Sequence, residues 1–334
     1  MEKMGVIFHD TDLWQSPFGI THNLKALRQI KGIVKREGIG VVHCHTPSGG
    51  LVGRLACKSE KVYMIYTAHG FHFYKGADFL HYHLYHGIEK FLSRMTDVIV
   101  TVNQEDFSAA EKMKEKVCAC RIPGVGLDMD YFHGTSREQR AKARKNLGLK
   151  QEFYLLSVGE LRENKNQSAV IKALAKLREE GTDIKKIRYG MLGAGRQEQE
   201  LREMVRDLHL DGQVEFLGYR QDVRPYLQAA DVLVFPSVRE GLGMAALEAL
   251  ATGLPVIASD NRGTREYMLH GENGLVSKRN TPEEYAALIK KMAEEREDWG
   301  ENFARRERIR KGVEKFEKHN SMAVMRRVYE NACD

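Results

Sequence analysis

Residues 236 to 259, PSVREGLGMAALEALATGLPVIAS, set two carboxylates, Glu240 and Glu248, around a Gly-Leu-Gly step. Gly241 and Gly243 lack side chains, so a ligand can approach the backbone closely there. The Ala- and Leu-rich run that follows predicts a helix, whose first turn offers free N–H groups and the positive end of its dipole to an anion. Carboxylates repel phosphate but accept hydrogen bonds from sugar or ribose hydroxyls. Phosphate-friendly backbone flanked by hydroxyl-binding acids is the chemistry a nucleotide diphosphate sugar requires. Spacing alone leaves a second reading open, two surface glutamates bracketing an ordinary helix start.

Histidines form the other reactive group. His69, in TAHGF, ends a predicted strand and precedes Gly70, a position from which an imidazole can reach a ligand and donate to a sugar hydroxyl; a satisfied core histidine is the competing reading. His43, His45, His72, His81, His83 and His86 lie nearby in sequence. His-x-His on a strand puts His43 and His45 on one face, and HYH at 81–83 would repeat that geometry. No Cys or carboxylate constellation completes a metal site, so no metal is expected.

These residues need a scaffold. The chain has 334 residues, room for two domains rather than one small core. Apolar residues make up 42% and charged residues 29%, ordinary globular composition. No apolar run approaches membrane-spanning length, and MEKMGVIFHDTDLW has no signal-peptide stretch, so a cytoplasmic protein is expected. Five cysteines without a framework (Cys44, Cys57, Cys118, Cys120, Cys333) predict reduced thiols packing as small hydrophobes. Residues 1–150 carry 22 Lys and Arg against 15 Asp and Glu, while the whole chain is +6. That basic first half fits either an anionic partner or a merely solvated surface. In HNLKALRQIKGIVKREG, Lys25, Arg28, Lys31, Lys35 and Arg36 frame Leu24, Leu27, Ile30 and Val34. The stretch reads as a membrane-surface helix or as a crossover helix with a solvated basic face. Nucleic-acid binding is not expected, since the basic residues lack interleaved aromatics or a recognition motif.

Short apolar runs alternate with longer amphipathic ones, predicting α/β architecture with parallel sheets and crossover helices. IGVVHCHT, VYMIYTAHG and TDVIVTVN read as strands of a first domain; FYLLSVGEL, IRYGMLGAG, QVEFLG, ADVLVFPS and LPVIASD read as strands of a second. RIPGVGLDMDYFHG lies between them as a hinge. The expected division is an acceptor-side domain over 1–132, a nucleotide-sugar domain over 133–312, and a C-terminal helix over 313–334 packing back toward the first domain.

The same segments resemble, in order, the motifs of the retaining GT-B glycosyltransferases of family four. EGLGMAALEALATGLPVIASD is similar to the Glu-seven-residues-Glu signature, PGVGLDMDYF to the hinge, VGELRENKNQ to the phosphate loop, GAGRQEQEL to the glycine turn, FLGYRQDVRPYLQAADVLVFPS to the base-binding segment, and NRGTREYMLHGENGLV to the segment closing the domain. HCHTPSGG and YTAHGFHFYKGADF look most like the bacterial capsular and exopolysaccharide branch. The resemblance implies a GT-B fold: two Rossmann-like doubly wound domains facing a cleft. It implies metal-independent, cofactor-free transfer, with retention, from a UDP-sugar to a lipid-linked or growing glycan at the cytoplasmic face of a membrane. Glu240 then falls where a glutamate approaches the donor sugar, Glu248 where one binds the ribose, Lys165 where a lysine grips the diphosphate, and His69 beside the sugar. Gly193, Gly241, Leu242, Gly243 and Met244 fall in donor-binding backbone. The common pattern has Arg five positions before that lysine; Glu160 stands there, and Arg162 is either its substitute or a surface arginine.

The family's first domain opens with a strand, a glycine loop, a helix and a second strand; here the chain begins at about the third strand. Three explanations follow: a start assigned too late, a partner that supplies the unit, or an inactive copy. The GG of HTPSGG is a further stretch of backbone open to a ligand. A partner-dependent, non-catalytic nucleotide-sugar module and a GT-B nucleotide-sugar epimerase are the alternative functions.

Overall fold

The computed structural model describes residues 4–14, 19–74, 76–113 and 117–332. They divide into two units, Met1–Ile122 with Met322–Asp334, and Pro123–Ser321. In the first unit the order is α1 (Ile20–Arg36), β1 (Val41–His45), α2 (Pro47–Cys57), β2 (Tyr63–Ala68), α3 (Phe79–Leu92), β3 (Val98–Thr101), α4 (Gln104–Glu111) and β4 (Cys118–Arg121). The four strands form one parallel sheet in sequential order. Buried Ile99, Met64 and Tyr66 pack with Ala56, Phe71 and Phe73 in its core.

The second unit runs α5 (Arg137–Asn146), β5 (Phe153–Val158), α6 (Gln167–Glu179), β6 (Ile187–Leu192), α7 (Glu198–Asp207), β7 (Val214–Gly218), α8 (Arg224–Ala229), β8 (Val232–Phe235), α9 (Met244–Ala251), β9 (Val256–Ser259), β10 (Gly274–Ser277), α10 (Pro282–Glu294) and α11 (Phe303–Lys311). The last helix, α12 (Lys318–Glu330), begins here and from Met322 belongs to the first unit. The sheet is parallel throughout, in the order β10-β9-β8-β5-β6-β7. Strands this apolar, buried on both faces, are what a parallel sheet covered by helices requires. Leu155, Tyr189, Val232 and Ile257 meet Leu174 of α6 and Ile289 of α10. Both units are the Rossmann-like layered folds expected from the alternating pattern.

Several local readings change. HTPSGG is the start of α2: Thr46 caps it, accepting from the Gly49 N–H, and Pro47 opens it. Its glycines serve packing, since a Cβ on Gly50 would lie 2.5 Å from Tyr66 and one on Gly53 2.3 Å from the Cys44 sulfur. HYH at 81–83 lies on helix α3, where positions two apart do not share a face. On α1 Val34 is core and Leu27 and Ile30 pack against it, whereas Leu24 is exposed, as are Lys25, Arg28, Lys35 and Arg36. Those contacts make α1 a helix packed on the first unit with a largely solvated basic face. Cys44 and Cys57 are buried, but Cys118 is exposed and Cys120 half-buried on edge strand β4, and all four are free thiols. Cys333 lies outside the described residues. No strand forms between residues 4 and 14.

Candidate functional site

In the second unit the chain leaves β5 toward β6 and β7 on one side, and β8 toward β9 and β10 on the other. Strands β5 and β8 are neighbours, with Leu155 opposite Val232 and Leu156 opposite Leu233. Loops that depart from adjacent parallel strands in opposite directions leave a crevice at the strands' C-terminal ends. Lys165 comes from the loop after β5 and Glu240 from the loop after β8. Their Nζ and Oε1 atoms are 2.6 Å apart. The loops are fastened beside the pair: the Asn164 amide donates to the Arg239 carbonyl at 2.8 Å, and the Val238 N–H to the Asn164 carbonyl at 2.8 Å. Gly159, at φ +152°, leaves room for the lysine stem, which lies 3.5 Å from where its Cβ would be. Lys165 Nζ is also 5.4 Å from the Phe235 ring centre. Both charged side chains are mostly shielded, at 17% and 14% exposure, so their attraction is screened less than a surface pair's.

Glu248 lies on α9. It is half-buried, and among the described residues its carboxylate has no hydrogen-bond or ionic partner. Burial pushes its pKa above the ordinary carboxylate value. A shielded carboxylate without a donor is an unfavourable arrangement that incoming hydroxyls would relieve. Met244 begins α9 and is half-buried, as is Gly241. Gly243 caps the helix at φ +91°, and its absent Cβ faces Phe235 at 2.8 Å and the Tyr267 hydroxyl at 2.9 Å. Glycine at 243 is therefore required by the fold itself, whatever binds. Leu242 is buried, its side chain 2.9 Å from where a Gly124 Cβ would be.

Beside the loop after β5 lies a cavity of about 350 Å3, lined by Val158, Gly159, Leu192, Gly193, Tyr219 and Val223 among others. Gly193 has φ +148°, and a Cβ there would sit 1.9 Å from the Gly159 carbonyl oxygen. Its N–H donates to the Gly218 carbonyl at 3.0 Å. The glycine turn thus holds three loops together at one wall of the cavity. Arg162 is half-exposed and its guanidinium lies 3.3 Å from the Glu160 carboxylate, so the residue replacing the usual arginine pairs with the candidate substitute.

The first unit assembles a histidine cluster that spacing only hinted at. Strand pairing sets His45 opposite Thr67 and His43 opposite Ile65. His45 Nδ1 is 3.0 Å from His69 Nε2. His43 lies between Thr67 Oγ1, at 2.7 Å from Nε2, and the Tyr329 hydroxyl, at 2.5 Å from Nδ1. Burial first, then the neighbouring His45 and His69, pushes the His43 pKa down to about 4. Burial also lowers His45, and burial with His45 lowers His69. All three rings are held neutral near pH 7. The HxH spacing pointed to His43 and His45; Tyr329, 286 positions from His43, left no signal. Among the described residues no three His, Cys, Asp or Glu side chains gather as a metal site.

A doubly wound parallel sheet with a Lys–Glu pair at its switch point, followed by a helix that carries a second, unpartnered glutamate, has the layout of a nucleotide-sugar transferase domain. The chain belongs to the glycosyltransferases: residues 139–315 match the family described as Glycosyl transferases group 1, and residues 6–103 match Glycosyl transferase 4-like. It is 37% identical over 283 residues to EpsD of Bacillus subtilis (strain 168), covering 83% of this chain and 73% of EpsD, whose name states a glycosyltransferase and no donor or acceptor. It is 27% identical over 279 residues, 82% of this chain and 71% of the other, to the Escherichia coli UDP-Gal:alpha-D-GlcNAc-diphosphoundecaprenol alpha-1,3-galactosyltransferase. Among solved structures, Anabaena HepE in complex with UDP-glucose superimposes with a TM-score of 0.77 at 20% identity, over 95% of this chain and 84% of HepE. Sucrose-phosphate synthase from Thermosynechococcus elongatus gives a TM-score of 0.77 at 20% identity, over 96% and 82%. These structures bear on the fold.

Proposed function

We propose that this glycosyltransferase moves a sugar, with retention, from a UDP-sugar to a lipid-linked or growing glycan in capsular or exopolysaccharide synthesis, at the cytoplasmic face of a membrane. The observation that carries the donor half is the second unit's arrangement: a shielded Lys165–Glu240 pair and a cavity that share the Gly159 loop, with an unpartnered Glu248 on α9, the helix that follows the Glu240 loop. In this reading the base enters the cavity, the ribose hydroxyls donate to Glu248, and the diphosphate takes Lys165 from Glu240. The names of the galactosyltransferase relative and of the HepE complex support a uridine diphosphate donor and a lipid-linked acceptor.

The anomeric carbon exchanges its bond to the diphosphate oxygen for one to the acceptor oxygen, and the acceptor proton passes to the leaving diphosphate. Negative charge grows on that leaving group. Lys165 and the N-terminus of α9 stabilise it, with Arg162 able to join them on leaving Glu160. Glu240, released from its lysine, is left to accept from donor-sugar hydroxyls. His69, kept neutral, can donate to another sugar hydroxyl or accept from it.

The test is a calorimetric titration of the full chain with UDP, beside Glu248→Ala and Lys165→Ala, followed by transfer assays and determination of the product anomer. Glu248→Ala should weaken UDP by about tenfold or more, the effect of removing hydrogen bonds to a charged group. Lys165→Ala should slow transfer by about 10²–10³. Negligible effects of both substitutions in folded protein would overturn the site.

A further inference from the structure

Helix α3, FLHYHLYHGIEKFL, is built inside out. Its only acid, Glu89, points into the unit and takes a bidentate pair from fully buried Arg54 of α2, at 2.9 and 3.3 Å. Arg54 is itself fixed, donating to the Gly50 carbonyl at 2.7 Å and lying 4.0 Å from the centre of the Tyr66 ring. The inward face also carries Tyr82 and His86, both stacked edge-on against Phe73. With these groups clamped inward, the side left to solvent holds Phe79, Leu80, Leu84, Ile88 and Phe91, exposed by 74%, 79%, 60%, 38% and 49%. Leu80, Leu84, Ile88 and Phe91 follow the three- and four-residue spacing of one helical stripe.

Single exposed apolar side chains are unremarkable, but a contiguous row on one helix marks a surface meant to be covered. Charge names the partner. The exposed positions of the helix include Lys90, with exposed Arg94 just beyond its end, and no acid. Asp78 caps the other end, its carboxylate accepting from the His81 N–H. Apolar side chains edged by cations, without anions among them, suit the interface of an anionic bilayer. Helix α1 shows the contrast: it has more cations, but Leu27, Ile30 and Val34 go to the core and only Ile20 and Leu24, near its start, are left well exposed, too few for a stripe along the helix.

We infer that α3 lies on an anionic membrane surface, with Leu80, Leu84, Ile88 and Phe91 in the headgroup–acyl boundary and Lys90 and Arg94 against lipid phosphates. This rests on the proposed function in one respect, that a lipid-linked acceptor is presented at such a surface. No helix among the described residues is long and apolar enough to cross a membrane, so contact would be peripheral.

The test is flotation of the full chain with vesicles of phosphatidylcholine alone and with one quarter phosphatidylglycerol. Binding is expected to the anionic vesicles and to weaken with salt. Leu80→Ser and Leu84→Ser should each lower the partition coefficient by about tenfold; both positions are exposed, and unchanged circular dichroism and UDP affinity would verify folding. Lys25→Glu on α1 should leave partitioning within about twofold. No vesicle binding by wild type, equal loss with Lys25→Glu, or concentration-dependent self-association that Leu84→Ser abolishes while wild type ignores vesicles would each overturn the assignment. UDP titration keeps the two claims apart: UDP binding without vesicle binding sinks only the membrane surface, and vesicle binding without UDP binding sinks only the donor site.

Discussion

His43 shows how a residue can be legible in a sequence while its role is not. The HxH spacing put it beside His45, but only the parallel register brings Thr67 and His69 to them, and only the returning C-terminal helix brings Tyr329. Lys165 and Glu240 behave alike: each stood out by motif, and their 2.6 Å pairing across 75 positions could not be read from either stretch. The histidine cluster has a pH consequence. Burial, then His45 and His69, holds His43 at about 4 against an ordinary value of 6.5, so below pH 6.5 the unfolded chain binds a proton that the folded chain refuses. Stability therefore falls as pH drops from about 6.5 toward 4, and is fully present above that window. Urea unfolding at pH 7.5 and pH 5 should show this loss, and His43→Gln, which has no proton to gain, should show a smaller one. An identical pH dependence in the variant would remove His43 as its source.

The elements divide by how plainly their side chains announce them. FYLLSV, IRYGML and VLVF were readable because strands buried on both faces must be apolar throughout. Strand β4, CACR, escaped because it is short, half-exposed and at an edge, and β10, GLVS, because four residues in a glycine-rich loop carry too little pattern. Helix α2 hid behind glycines that local propensity reads as loop, although close packing on Tyr66 and Cys44 requires them. Another determinant was invisible: Asp231, fully buried just before β8, gathers Arg140 and Arg144 of α5 and Arg296 beyond α10. Burial alone would raise its pKa, but Arg140, Arg296 and Arg144 hold it below the usual carboxylate range. One carboxylate thus ties α5 and the segment after α10 to the sheet. Removing one member of a buried ionic network leaves uncompensated charge, so Asp231→Ala should lose about 3–5 kcal/mol in urea unfolding. A loss below about 1 kcal/mol would mean that the carbonyls of Ala229, Gln151 and Glu152, which also accept from these arginines, suffice without it.

At the scale of the whole chain, two units with separate cores carry different halves of the proposed chemistry. Every element of the proposed donor site, from Gly159 and Lys165 through Gly193 and Tyr219 to Glu240 and Glu248, falls within Pro123–Ser321. A ligand that binds the folded form stabilises what it touches by RT ln(1 + [L]/Kd), about 2.7 kcal/mol at a hundredfold excess over Kd. UDP, lacking the sugar, should concentrate that stabilisation in the second unit. Hydrogen exchange read by mass spectrometry gives the check. Amides at 159–165, 193–195, 219–223 and 237–248 should slow on adding UDP, while those of β1, β2 and α3 should exchange as before. Uniform slowing across both units would mean that the nucleotide couples them. Slowing confined to 41–45 and 63–69 would move the nucleotide to the histidine cluster and reverse the assignment of donor and acceptor sides.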